Sequence, residues 1–344
     1  MKIIDLRSDT VTKPSQAMRE VMAKARVGDD VFEEDPSINQ LQSMAAEMTG
    51  KEKALLVPSG TMANLIAILT HCQRGDEVIL GDNCHSFIYE GGGMARFGGI
   101  QPHILPNLLD GTIDIVRIKN AIRIDDIHFP RTKLICLENT HNRMFGTPVK
   151  PEYLARVSEV ARYHDLKIHV DGARIFNAAI ALNTDVKELV KDVDSFNFCL
   201  SKGLACPVGS ILVGDSDFIH RARYVRKALG GGMRQAGIIA AAGIYALENM
   251  VERLANDHEN ARFLAEGISE IDGLYIDTEK VSTDIVYFEL DGNKIEAKEL
   301  VSEMEKRGVL FFQTSPQKFR MVAHYGITKD DIDFALRQFR DIFN

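Results

Sequence analysis

A chain of 344 residues is long enough for one large and one small domain, and with 45% hydrophobic and 26% charged residues it has the composition of an ordinary folded protein, not a disordered or fibrous one. Its formal net charge of -8 argues against a general nucleic-acid or anionic-membrane surface. Cys72, Cys84, Cys136, Cys199 and Cys206 are scattered and form no CxxC pair, which fits thiols of a reducing compartment; with no signal-peptide pattern and no membrane-length apolar run, the expectation is a cytoplasmic protein.

Residues 1–30, rich in turn formers and charges, are expected to form an N-terminal segment packing on the large domain or on a neighbouring subunit. From Lys53 to Gly214 short β-rich runs alternate with helical patterns: KALLVP and a helix from Ser59, EVILGD and a helix from His85, KLICLEN and a helix after Pro151, then KIHVDG, SFNFCL and VGSILVGD. Such alternation predicts an α/β domain, here residues 31–255, with a mostly parallel sheet whose ligands gather at the carboxyl ends of the strands. A long helical pattern after Met233 changes character near Gly273, and residues 256–344 read as a small α+β domain with strands in DIVYFEL, VLFFQ and FRMVAHY and helices around 297–307 and from Lys329.

Four stretches carry candidate chemistry. Ser59-Gly60-Thr61 precedes an apolar helix; it is either a plain N-cap or a helix-start phosphate site. Asp171 ends a strand and Arg174 follows it, so the two form either a structural pair or, respectively, a partner for a pyridine nitrogen and a grip for a carboxylate. Lys202 lies in an apolar, small-residue run, where desolvation suits an imine-forming amine, although a lysine lining a surface turn reads the same way. The glycines 230–232, followed by Met233 and Arg234, form a hinge, an interface loop or an anion cradle. His85, His128 and His141 are read as three histidines at the same end of the sheet, without the spacing of metal ligands.

Taken together these pieces describe one site, that of pyridoxal 5'-phosphate (PLP). The chain resembles the low-specificity L-threonine aldolases of the PLP-dependent aspartate aminotransferase fold (fold type I) along nearly its whole length, from IDLRSDTVTKP and GDDVFEEDP through VPSGTMANL, VDGARIFNA, CLSKGLACPVGS and GGGMRQAG to FRMVAHYGIT. The resemblance implies Lys202 as the Schiff-base lysine, Asp171 on the pyridine nitrogen, His85 stacked on the ring, and Ser59, Gly60 and Thr61 on the phosphate. It further implies that Ser8, Arg174 and Arg320 hold the substrate carboxylate, that His128 lies near the substrate side chain, and that Lys227 and Arg234 serve a neighbouring subunit's site in a homotetramer built as a dimer of dimers. A structural cation near SDTVT is compatible with the resemblance, but no spacing demands a metal.

The implied reaction is retro-aldol cleavage of L-threonine and L-allo-threonine to glycine and acetaldehyde, with His85, His128 or a water they hold as the base for the β-hydroxyl. A β-eliminating lyase, an amino-acid racemase, or a catalytically silent PLP-binding protein could carry the same cofactor residues. Phe32 and Glu33 stand where the family often has Tyr and Gly, and the segment before Arg320 and the Tyr325-Gly326 pair also depart from its pattern.

Overall fold

The computed structural model describes residues 2–292 and 294–343. Its strands in chain order are β1 (Ile4–Asp5), β2 (Lys53–Val57), β3 (Glu77–Gly81), β4 (Gln101–Leu105), β5 (Thr132–Glu138), β6 (Lys167–Asp171), β7 (Ser195–Cys199), β8 (Ser210–Gly214), β9 (Leu274–Tyr275), β10 (Ile285–Leu290), β11 (Val309–Leu310), β12 (Phe312–Gln313) and β13 (Lys318–Val322). Seven of them build the central sheet in the order β2-β8-β7-β6-β5-β3-β4. All run parallel except β8, which lies antiparallel between β2 and β7.

Strands β3, β7 and β8 are buried along their whole length and β5 and β6 over most of it, as in sheets covered by helices on both faces. On one face the helix Gly60–His71 packs across β6, β7 and β8, and its start is fixed by Ser59, whose hydroxyl accepts from the Met62 amide at 3.2 Å. Such a cap stabilises a helix by about 1 kcal/mol. Phe196 and Phe198 of β7 are buried in the large hydrophobic core together with helices 36–49, 151–163, 175–182 and 237–249.

A second core lies under the sheet β12-β13-β10-β9, where Phe288, Phe311, Phe319 and Phe339 meet with ring centroids 5.0–5.8 Å apart. Residues 1–30 do not pack as one segment on the large body. Ile4 and Leu6 belong to the second core, because β1 pairs in parallel with β11, whereas Met18 belongs to the first. The helix expected from His85 is a single turn, His85–Ile88, that ends before three glycines, two of them at positive φ. The long pattern after Met233 divides into helices Gly237–Asn249 and Leu254–Ser269. VLFFQ divides as well, β11 joining β1 and β12 joining β13. Among the described residues no helix is long and apolar enough to cross a membrane.

Candidate active site

Asp171 sits at the carboxyl end of β6, and its two oxygens are already engaged. Oδ1 accepts from the Ala173 amide at 3.1 Å and Oδ2 from Asn64 Nδ2 at 2.8 Å. Burial works to raise its pKa, but the charges of His85 and Lys202 and the Asn64 bond outweigh it, so Asp171 is held ionised below the usual carboxylate range. The same Asn64 amide donates to Glu90 Oε1 at 2.7 Å, and Glu90 Oε1 also accepts from His85 Nδ1 at 2.9 Å. Ligand-capable atoms of His85, Glu90 and Asp171 thus lie within 4.8 Å of one another. Burial disfavours a charged His85, yet Glu90 and Asp171 prevail and raise its pKa.

Lys202 lies in the ten-residue connection between β7 and β8, and among the described residues it makes no ion pair. This loop is tied to itself: Leu200 N donates to Gly209 O at 3.0 Å, Cys206 N to Leu200 O at 3.0 Å and Ala205 N to Lys202 O at 2.9 Å. At the start of the helix 60–71, the Met62 and Ala63 amides bond to Ser59, leaving those of Gly60 and Thr61 for an anion. A Cβ at Gly60 would come within 2.8 Å of Cys199 Sγ, so only glycine lets the helix start this close to β7.

Ser8, Arg174 and Arg320 meet around the N-terminal turn. Arg174, buried at the start of helix 175–182, grips Asp9 with Nε and Nη2 at 2.6 and 2.7 Å. Asp9 is fully buried; burial opposes its charge, but Arg174 prevails and holds its pKa to about 2. Of the two alternatives open for Arg174, the structural pair with Asp171 does not form, since Nε and Nη2 engage Asp9; among the described residues Nη1 makes no hydrogen bond. Ser8 Oγ accepts from Thr10 N at 3.2 Å, and Arg320 donates through Nη2 to Arg7 O at 3.1 Å and through Nη1 to Asn142 Oδ1 at 2.9 Å. Residues 7–9 therefore touch one arginine from each body.

Asn142 is in turn fixed by Glu138 at the end of β5, whose carboxylate accepts the Asn142 amide at 2.8 Å and the His85 amide at 2.7 Å. A hydrogen bond to a charged group contributes about 1.5–3 kcal/mol. Asn142→Ala should therefore raise KM for the amino acid by roughly 10-fold or more, with a smaller change in kcat, in steady-state kinetics.

Asp284, fully buried 3.9 Å from Arg174, has its pKa pushed up to about 7 by burial and then by Asp9, against the pull of Arg174. A carboxyl with a folded pKa above its unfolded one loses stabilisation as pH rises through the folded value. The stability of Asp284→Asn relative to the native protein should accordingly shift in the variant's favour between pH 5 and pH 8, read from denaturation midpoints.

The three histidines do not share one end of the sheet. His128 precedes β5, at the edge opposite Asp171, since six residue steps along that strand span roughly 20 Å. Its ring is 78% exposed and bonds Asp126 at 2.6 Å, so within one chain it cannot approach Lys202. His141 is fully buried after β5, and among the described residues neither ring nitrogen has a hydrogen-bond partner. Among the described residues Lys227 and Arg234 make no hydrogen bond or ion pair with the Asp171 cluster: Lys227 lines a small cavity with Arg223 and Tyr224, and Arg234 pairs with Asp29 at 2.9 Å beside the Phe32 ring. Glu33 has φ 61°, a backbone that favours glycine, and pairs with Arg223 at 2.7 Å.

Asp9, Asn64, Glu90, Glu138 and Asn142 escaped the sequence reading. Asn64 left a trace, a lone amide in the apolar helix MANLIAIL, and Glu138 another, a carboxylate ending a buried strand.

Residues 5–291 match the beta-eliminating lyase family. The low-specificity L-threonine aldolase 1 of Arabidopsis thaliana is 46% identical over 99% of this chain and 96% of that protein, and the low specificity L-threonine aldolase of Escherichia coli is 48% identical over 96% of each. Among solved structures, the threonine aldolase of Leishmania major superposes with TM-score 0.83 at 18% identity, covering 98% of this chain and 99% of that one. A putative L-allo-threonine aldolase from Listeria monocytogenes gives 0.80 at 19%, covering 98% and 96%. At such identity the two structures speak for the fold, PLP fold type I, while the sequence relatives and the matched span carry the family. The chain belongs to the beta-eliminating lyase family and groups within it with the low-specificity L-threonine aldolases.

Proposed function

We propose that the protein binds PLP through Lys202 and cleaves L-threonine and L-allo-threonine, with related L-β-hydroxy-α-amino acids, to glycine and the matching aldehyde. The observation that carries this reading is the convergence of an ionised, buried Asp171, the ring of His85, a Lys202 without an ion pair and a helix start with two amides to spare. The residues fit the cofactor: a dianion suits the Gly60 and Thr61 amides, and a protonated ring nitrogen suits Asp171. Solved structures of the same fold include a serine palmitoyltransferase with PLP.

When bound, PLP supplies an aldehyde that captures the amino group and a ring that accepts the electron pair of the bond broken at Cα. Asp171, ionised, keeps the proton on the ring nitrogen. Arg320, held by Asn142 and the Arg7 carbonyl, and the open Nη1 edge of Arg174, with Ser8 between them, fix the substrate carboxylate, and that orientation selects Cα–Cβ as the bond aligned for cleavage. His85, tied to Glu90 through Nδ1, keeps its Nε2 side for the ring or, when neutral, for the β-hydroxyl proton.

His128, Lys227 and Arg234 belong in this reading to a neighbouring copy's site, which calls for a homotetramer with shared sites; the place of His128 before β5, and the lack among the described residues of any pairing of Lys227 or Arg234 with their own Asp171 cluster, support that assignment. A methyl that is not gripped discriminates by only about 1–3 kcal/mol, so threonine and allo-threonine should both react. The test is acetaldehyde release with L-threonine, L-allo-threonine and D-threonine offered separately to the PLP-loaded protein. Release from both L-isomers alone is expected; none from any would overturn the substrate, and pyruvate or ammonia from L-serine in its place would favour β-elimination.

A further inference from the structure

Four side chains join Asp171 to the far end of the helix Gly60–His71. Asn64 Nδ2 lies 2.8 Å from Asp171 Oδ2, Asn64 Oδ1 lies 3.1 Å from His169 Nε2, His169 Nδ1 lies 2.9 Å from Ser195 Oγ, and Ser195 Oγ lies 2.8 Å from His71 Nε2. The sequence places them together. His169 and Asp171 are two apart on β6 and share a face, Ser195 of β7 is His169's register partner, and Asn64 and His71 are seven apart on one side of the overlying helix.

The direction of each bond follows from the chemistry. A carboxylate accepts only, so the Asn64 edge facing both Asp171 and Glu90 is its NH2, and the other edge is its oxygen. That oxygen accepts only, so His169 carries its proton on Nε2. His169 is buried, and burial pushes its pKa down to about 4; the ring is neutral and Nδ1 is bare. Ser195 therefore donates its single proton to Nδ1 and accepts from His71 Nε2. Burial likewise lowers His71 to about 3, and its ring is held in place against Phe218 at 4.5 Å.

We infer that His71, Ser195, His169 and Asn64 form a one-way hydrogen-bond chain aimed at Asp171, positioning residues that strengthen its hold on the proton of the cofactor's ring nitrogen. The inference rests on the PLP reading above. Aligned hydrogen bonds polarise one another, and in a buried site that polarisation is little screened. Histidines that only fill a core need partners as well, but need not point four successive donors toward one carboxylate.

The chain is tested with 15N-histidine-labelled holoenzyme and the pH midpoint of the bound cofactor's visible absorption. Both rings should be neutral Nε2–H tautomers at pH 7. Ser195→Ala and His71→Leu, which cut the chain, should weaken the positive charge on the ring and move the midpoint upward by about 0.5 unit or more, whereas His71→Gln, which keeps a donor, should leave it in place. A purely packing role would lower thermal stability and leave the midpoint unmoved. His169 found as Nδ1–H or doubly protonated, or an unmoved midpoint in both cut variants, would overturn the inference. Lack of any visible band in the native protein would instead sink the PLP reading, and the tautomers would still decide the chain.

Discussion

Lys202→Ala should leave the protein folded and without measurable turnover. Lys202 is the lysine whose charge acts on both Asp171 and His85, so neither the covalent attachment nor the proton transfers at Cα have a substitute. Lost proton transfer alone accounts for about 10²–10⁴-fold, and loss of covalent catalysis compounds it. Borohydride reduction followed by peptide mass analysis should find PLP fixed to residue 202 in the native protein and to none in the variant. Retained activity would refute the mechanism outright, and because Lys202 makes no ion pair among the described residues, a fall in activity cannot be assigned to a broken salt bridge.

Asp171→Asn is expected to show the second largest loss. The variant keeps the shape and an acceptor for Asn64, but no longer holds a proton on the ring nitrogen. Removing one partner of a buried, hydrogen-bonded charge pair costs about 2–5 kcal/mol, or on the order of 30- to 4000-fold in rate. The deficit should appear in kcat, while PLP stays attached to Lys202. A variant working at the native rate would exclude the electron-accepting role of the ring as the reason for this carboxylate.

Legibility varied with the range of the interaction. The strands KALLV, KIHVD and SFNFC, which end at the site, stand in the sequence as short apolar runs, and Ser59, Asp171 and Lys202 lie at or just beyond their ends. The strand β4 was missed because Pro102 and partial exposure break any alternation, which an edge strand tolerates. The antiparallel sense of β8 was equally hidden, since local pattern carries no strand direction. His128 was misplaced for a related reason: nearness to a strand in sequence does not say which end of that strand a residue occupies. The grip of Asp9 on Arg174 joins positions 165 residues apart, and the side-chain fork of Arg174 gives no sign of which carboxylate it will choose.

The antiparallel β8 has a further consequence, in the order of folding. Because β7 returns directly into β8, with Cys199 opposite Ser210, the loop that carries Lys202 closes within a hairpin. Its contacts are short in sequence and cost little loop-closure entropy, whereas Asn64 and Asp171 meet across 107 residues and wait for the parallel crossovers. The lysine platform can therefore take shape early and persist in partly unfolded states, while the acidic half of the site appears only with the complete sheet. On mild denaturation, amide exchange should open the Asn64 and Asp171 region before the hairpin that bears the lysine.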